Sequence, residues 1–531
     1  MQIVGLHFYL SRIHRTHPGC NGDIFRQQLG FFCTRTGPIP ARRENQQIMS
    51  IRLHFWGAAQ TVTGSSHHLE CAGQNILLDC GLFQGKRDLA QQINSNLALP
   101  MSDLSAVVLS HAHIDHSGDL PLMAKQGYRG AIYATQPTID LCDPMLADSA
   151  HIQQADSQFI DKRFHRRKAI GAPAPPAFPP LYAPEDAAQV MKLFQPVKLH
   201  EPQLLGSAIA GVKPTADAGF TLTMSEAGHM LGSTCVLLEA REKGQTTRLL
   251  FSGDVGRKNL PIIHDPDPAP AAEYLIMEST YGDRLHQPIG PVKQKLADLV
   301  NRTVQRGGHI VMPAFAVERT QQVIMLLHEL IDEKTIPDIP MYVDSPLAVK
   351  VTQVFKKHSE EWDDEVKLFA AKKEDPFGWQ RLKYIQTVEE SKALNGLHMP
   401  FIVIASSGMC EAGRVLHHLK NSIEDPRNLV LITGFQAPFT LGSKMLQKPE
   451  EVNIFGEPLR LRADVDNIDA LSGHADQHEL LSWMEPVVPT LKKVFLVHGE
   501  LEAQMALKAE IEKMYKLEVV IPKRGDRVEI G

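Results

Sequence analysis

From Ile51 onward the chain alternates short apolar segments with glycine-bounded turns. IRLHFWG, SSHHLEC and NILLDCG alternate or run apolar and then break, which predicts three strands. Val107, Val108 and Leu109 form an apolar, β-branched run, and SHAHIDHSG is the loop leaving its end. DLPLMAKQG reads as helix, GAIYAT as strand and TQPTIDLCDPMLADSAHIQQ as helix. SQFIDKRFHRRKAIGAPAPPAFPPLY starts basic and turns Pro-rich, so it is not expected to be regular throughout. EDAAQVMKLFQPV predicts an amphipathic helix with Val190, Leu193 and Phe194 on one side. TLTMSEAGHMLGSTCVLLEA predicts two strands joined by a turn, and RLLFSGDVGR and EYLIMESTYGDR add two more.

After about residue 283 the texture changes. VKQKLADLVNRTVQRGG, AVERTQQVIMLLHELIDEK, PLAVKVTQVFKKH and GRVLHHLKNSI read as helices. They alternate with the strands HIVMPAF, PMYVDS, FIVIAS and NLVLITG, the pattern of a mostly parallel α/β sheet. The last segment returns to the first texture, closing with helix LEAQMALKAEIEKMY and strand LEVVIP. The α/β block thus reads as an insertion within the first domain. Residues 1–48 show no sustained periodicity. They are expected to be a disordered extension or the product of a misassigned start, with a small accessory segment as the alternative.

Composition narrows the class. At 531 residues, two or more domains are expected. A hydrophobic content of 43% with 22% charged residues is ordinary for a soluble chain, and no apolar run suits a membrane span. The net charge of −6 leaves no global nucleic-acid footprint, so a polyanion would be held by a local patch or by metal. Lys162, Arg163, Arg166, Arg167 and Lys168 form the densest basic run, either a solvated loop or a phosphate-contacting arm. The 7 cysteines are scattered without a C-x-x-C pair, which fits a reducing cytosol and a cytoplasmic location.

Candidate chemistry concentrates in His111, His113, Asp115 and His116. Imidazole and carboxylate groups at the end of a buried strand suit zinc and similar borderline metals. His111 and His113 alternate on an extended backbone, so their rings can point the same way, and Asp115 and His116 can serve a second metal. His229 and Asp254 each follow a strand beside glycines and are candidates for the missing ligands, Asp254 as a bridge. Asp79, ending LLDCG, reads either as an Asx turn or as a carboxylate orienting ligand histidines.

The ordered set Asp79, HAHIDH, His229, Asp254, Glu278, His474 and His498, with ESTYG, PAFAVERTQ, SSGM, GRVLHHL, LSGHAD and LVHGE, closely resembles the β-CASP branch of the metallo-β-lactamase superfamily over about residues 51–531. The resemblance implies a four-layer αββα sandwich in two parts (49–282 and 471–531) with an inserted parallel-sheet α/β domain at 283–470. It implies two Zn2+ ions, with Mn2+ as the alternative: one held by His111, His113 and His229, the other by Asp115, His116 and His498, bridged by Asp254. It favours the orienting role for Asp79. The implied activity is RNA hydrolysis by a two-metal mechanism with a bridging hydroxide, endonucleolytic or 5′→3′ exonucleolytic. His474, held by Glu278, is then the candidate general acid. Ser345, Ser407, Gly408 and Arg414 are candidate substrate contacts, the SSGM turn because it opens a helix. His498 favours RNA over DNA by analogy. Rival readings are a DNA nuclease, a small-molecule hydrolase of thioesterase or lactonase type, and a non-catalytic scaffold. No membrane partner is expected, and a homodimer is one assembly open to the chain.

Overall fold

The structure is a computed structural model and describes residues 51–97, 100–169, 179–209, 211–373, 375–437 and 439–531. The expectation for residues 1–48 and the side chains of the basic run beyond Lys162 lie outside what is described. The first strands are β1 (Ile51–Phe55), β2 (His67–Cys71), β3 (Gln74–Leu78), β4 (Ala106–Val108), β5 (Ala131–Ala134) and β6 (Phe194–Pro196). A second group follows: β7 (Gln203–Leu204), β8 (Gly219–Glu226), β9 (Thr234–Glu242), β10 (Gln245–Phe251) and β11 (Tyr274–Met277). The middle of the chain supplies β12 (Ile310–Pro313), β13 (Met341–Asp344), β14 (Leu382–Tyr384), β15 (Ile402–Ala405), β16 (Leu429–Ile432), β17 (Glu451–Ile454), β18 (Glu457–Arg460) and β19 (Asp464–Asn467). The end supplies β20 (Lys493–Leu496), β21 (Glu518–Val520) and β22 (Arg527–Ile530).

Two seven-stranded sheets face each other, in orders β22-β1-β2-β3-β4-β5-β6 and β21-β20-β11-β10-β9-β8-β7. Alternation of side chains sends Leu53, Phe55, Leu69 and Ile76 from the first sheet, and Phe220, Leu222, Leu238 and Phe251 from the second, into one shared core. The outer face of the first sheet, through Leu77, Val107 and Ile132, packs on helices 120–125, 136–169 and 184–190. The outer face of the second, through Leu250, Leu275 and Leu496, packs on helices 477–484 and 501–515. The result is the four-layer αββα sandwich.

Between β11 and β20 the chain leaves the sandwich and builds a six-stranded parallel sheet, β14-β13-β15-β12-β16-β19. Its central strands are apolar on both faces, as a sheet covered by helices on both sides requires. It then returns, and β20 pairs in parallel with β11. No described helix is long and apolar enough to cross a membrane.

Three local expectations change. The helix at Gln136 runs to Ala169 through Pro144, so the basic run is its last turns rather than a loop. The helix expected over EDAAQVMKLFQPV stops at Val190; a 3-10 turn follows and Phe194 starts β6. The hairpin β17–β18 and the strands β14, β19 and β22 carry little apolar signal and were not expected.

Candidate metal centre

Each candidate ligand leaves the end of a strand or the turn beside it. β4 runs into Ser110-His111-Ala112-His113, and a short helix, Ile114–Ser117, turns Asp115 and His116 back toward the same point. His229 sits in the β8–β9 turn, Asp254 follows β10, Glu278 follows β11 and His498 follows β20. His474 enters from the segment returning from the parallel sheet, where Gly256 and His474 form an isolated bridge.

Two groups form. One ligand atom each from His111, His113, His229 and Asp254 lies within 4.8 Å of the others, and so do atoms of Asp115, His116 and His498. The Nε2 atoms of His111 and His229 both stand 3.1 Å from His113 Nδ1. His116 Nε2 is 3.2 Å from His498 Nε2, which is 3.5 Å from Asp115 Oδ2. Asp254 links the groups: its Oδ2 is 3.5 Å from His111, 3.6 Å from His229 and 3.3 Å from His116.

The outward-facing nitrogens explain the orientation. His229 Nδ1 lies 3.1 Å from the Gly473 carbonyl and His116 Nδ1 lies 2.7 Å from Asp79 Oδ2. An N–H at His229 Nδ1 leaves that ring's Nε2 lone pair aimed inward, and Asp79 fixes the His116 ring with its Nε2 toward the same point. Asp79 is fully buried and is fixed in turn, accepting from Ser110 N at 2.8 Å and from the hydroxyls of Ser110 and Ser65 at 3.0 Å each. Thr280 Oγ1, 3.0 Å from His498 Nδ1, steadies that ring. Thr280, Ser110 and Ser65 carry no sequence signal of this role, although Thr280 lies two residues beyond Glu278.

A cation fits this donor set. Inward lone pairs at such short separations repel unless positive charge lies between them. Asp254 Oδ1 is buried and accepts no hydrogen bond among the described residues. Burial lowers the pKa of His111 and His229, and takes His113 down to about 4 after Asp115 and Asp254 offset part of it, so these rings are neutral. Burial would raise the pKa of Asp254, but His116, itself held protonated by Asp254 and Asp79 until a metal takes the proton's place, and His498 keep it well below the usual carboxylate range. Neutral imidazoles and an ionised carboxylate are the forms that ligate metal.

His474 lies at the edge. Its Nδ1 is 3.3 Å from Glu278 Oε1 and 3.8 Å from Asp254 Oδ2, and its side chain is 22% exposed. Burial lowers its pKa, but Glu278, with smaller help from Asp254 and Asp115, lifts it to about 9. Glu278 is fully buried and accepts from Val255 N at 2.7 Å, so its position is fixed.

The four candidate substrate contacts lie on the parallel sheet. Ser345 caps the helix Pro346–Lys357, accepting from Ala348 N, and Ser406 donates to its hydroxyl at 3.0 Å. Arg414 donates to buried Asp344 at 2.6 Å and to the Gln386 carbonyl at 2.9 Å. Both are engaged within the fold. Ser407 Oγ accepts from Glu411 N and Ala412 N. Gly408 offers its carbonyl to Gln436.

Comparison with known proteins follows the same architecture. Residues 68–247 match the metallo-beta-lactamase superfamily domain, 320–445 the Beta-Casp domain and 458–522 the Zn-dependent metallo-hydrolase RNA specificity domain. The chain is similar to Ribonuclease TTHA0252 of Thermus thermophilus, at 33% identity over 90% of this chain and 100% of that one. It is 27% identical to the RNase J-like protein of Methanocaldococcus jannaschii, over 90% of this chain and 99% of the other. Transcription termination factor FttA of Methanosarcina mazei is 29% identical over 88% of this chain and 70% of its own length. A crystal structure of a protein of unknown function from Enterococcus faecalis shares the fold, with a TM-score of 0.50 at 12% identity over 91% of this chain and all of that one.

Proposed function

The chain belongs to the β-CASP family of metallo-β-lactamase-fold, metal-dependent hydrolases, and from that premise we propose that it is a zinc-dependent ribonuclease acting on RNA phosphodiester bonds in the cytoplasm. The observation that carries the reading is the pair of ligand groups joined by Asp254. His111, His113 and His229 would hold one zinc and Asp115, His116 and His498 the other, with Asp254 shared between them. When bound, the two ions supply a water acidified to near neutrality and positive charge for the phosphoryl oxygens. Asp79 holds His116, and through Ser110 it holds the start of the ligand loop, so the site is set before substrate arrives.

His474 protonates the leaving oxygen. Glu278 keeps its imidazole charged at neutral pH, and its exposed edge lets it reach solvent and substrate. Ser407 and Gly408 are the candidate anion contacts: the N–H groups of Gly408 and Met409 donate no hydrogen bond among the described residues and sit in a turn before the helix Val415–Ser422. The named ribonucleases among the relatives support RNA as substrate. The buried, unpaired thiols of Cys71, Cys80, Cys142, Cys235 and Cys410 support the cytoplasmic placement.

The test is cleavage of end-labelled single-stranded RNA beside DNA of the same sequence, with Asp254→Ala as the control for contaminating nuclease. RNA cleavage lost in the variant is the expected result, and the product ladder separates endonucleolytic from exonucleolytic action. Zinc-loaded protein that cleaves neither strand would move the assignment to a small-molecule hydrolase.

A further inference from the structure

Three loops meet at the carboxyl ends of the neighbouring strands β15, β12 and β16: residues 406–414, 314–318 and 433–437. Open α/β sheets bind ligands in the crevice outside those ends. This rim exposes two large aromatic side chains, Phe435 at 44% and Phe315 at 43%, where phenylalanine is ordinarily buried. They are tied together. A Cβ at Gly408 would lie 2.9 Å from the Phe315 ring, so only glycine lets that ring lie against the loop. Gln436, next to Phe435, donates to the Gly408 carbonyl at 2.9 Å. Thr433 donates to the Pro313 carbonyl at 3.0 Å and joins the roots of the same two loops.

From Phe435 a chain of ring contacts runs inward through buried Tyr281 to His474. Its ring and Tyr281 form a T-shaped pair, 6.1 Å between centroids at 87°, and Phe435 stays 44% exposed. Tyr281 is in turn 6.0 Å from the ring of His474. A net charge of −6 gives the chain no overall attraction for a polyanion, so a hold that does not rest on phosphate contacts alone would add to binding. Open π-faces provide a hold that does not depend on charge.

We propose that Phe435 and Phe315 stack unpaired bases of the RNA strand on the rim beside the metal centre. The proposal rests on the ribonuclease reading and adds to it a base-stacking subsite on the rim, which a base within a duplex has no free face to enter. Stacking accepts any base, so the rim selects strand type and not sequence.

The experiment is steady-state cleavage by the zinc-loaded full chain of an RNA series, each member carrying one abasic nucleotide at a different position. Stacking of one base corresponds to about 1–3 kcal/mol, so Phe435→Ala should raise KM about tenfold with little change in kcat. Phe435→Trp should restore it. At one position the abasic nucleotide should penalise the wild type as much as Phe435→Ala does, and the two losses should not add. Equal KM for wild type and Phe435→Ala across the series, or duplex cleaved as well as single strand, overturns the proposal. If the wild type cleaves no RNA, the ribonuclease reading has failed. Fluorescence anisotropy with labelled oligouridine then decides the stacking: weaker binding by Phe435→Ala upholds it and equal binding overturns it.

Discussion

Asp79 gives the sharpest test of how the centre is built. Replacing it with alanine removes the acceptor shared by Ser110 N, the hydroxyls of Ser110 and Ser65, and His116 Nδ1. The Ser110 hydroxyl lies 3.0 Å from His111 Nδ1, but a neutral ring whose Nε2 faces the metal carries its proton at Nδ1 and cannot accept from it. The Ser65 and Ser110 hydroxyls and the Ser110 and His116 N–H groups then all lack an acceptor among the described residues. An orphaned buried donor costs about 1–3 kcal/mol, so the two N–H groups, which cannot rotate to a new partner, alone predict a loss of about 2–6 kcal/mol. Asp79 also has φ +58°, which asparagine tolerates and alanine does not, so Asp79→Asn should fold nearly as well as wild type. Its amide can still accept from Ser110, but toward His116 it presents either a weaker acceptor or a second donor. Zinc affinity at the group holding His116 should fall by about 10–100-fold, the range for losing such a supporting partner. Urea unfolding separates the two variants, and chelator competition with zinc counted per chain measures the affinity. Two zincs retained at wild-type affinity by both variants would refute the reasoning.

Three further outcomes are expected. With the two aspartates neutralised by metal, Glu278 is the charge left to raise the His474 pKa; kcat/KM should hold to about pH 8–9 and then fall, and Glu278→Gln should bring that limb down by about one to three units, whereas an unmoved limb removes Glu278 from the role. Glu318 is pushed up to about 8 by burial, partly offset by Arg319, from an ordinary value of 4.5; its proton binds more tightly in the folded chain, so stability is full below about pH 4.5 and is lost as pH rises toward 8. Glu318→Gln should therefore match wild type in urea at pH 5 and exceed it at pH 9, and parallel curves contradict this. A Cβ at Gly81 would lie 1.6 Å from the Asp115 carbonyl oxygen and 2.8 Å from His116 N; Gly81→Ala should cost about 3 kcal/mol or more and shed zinc, checked by thermal melting and metal content.

Much of the centre is legible in the chain because local spacing carries it. His111 to His116 are dense and follow a buried strand, and His229 and Asp254 stand beside glycines at strand ends. Glu278, His474 and His498 are different. His498 meets His116 across 382 residues, and His474 meets Glu278 across 196; no local pattern marks either, and only the resemblance to a family brought them in. The support of Asp79 by Ser65 and Ser110 is invisible for the same reason. Arg414 reads as a free cation in sequence, yet its partner Asp344 lies 70 residues away. In the fold, strong apolar runs were legible as strands and helices. Strand β22 was not, since its pairing with β1 joins the two ends of the described chain. Nor was the continuation of helix 136–169, whose last turns carry a basic run in place of an apolar face.

The most direct test of the two-metal centre is anomalous diffraction at the zinc absorption edge from crystals of the zinc-loaded chain. Two peaks are expected, one among His111, His113 and His229 and one among Asp115, His116 and His498, with Asp254 between them, about 3.5–4 Å apart as two-metal hydrolytic sites require. A single peak, or zinc bound away from Asp254, would contradict the account.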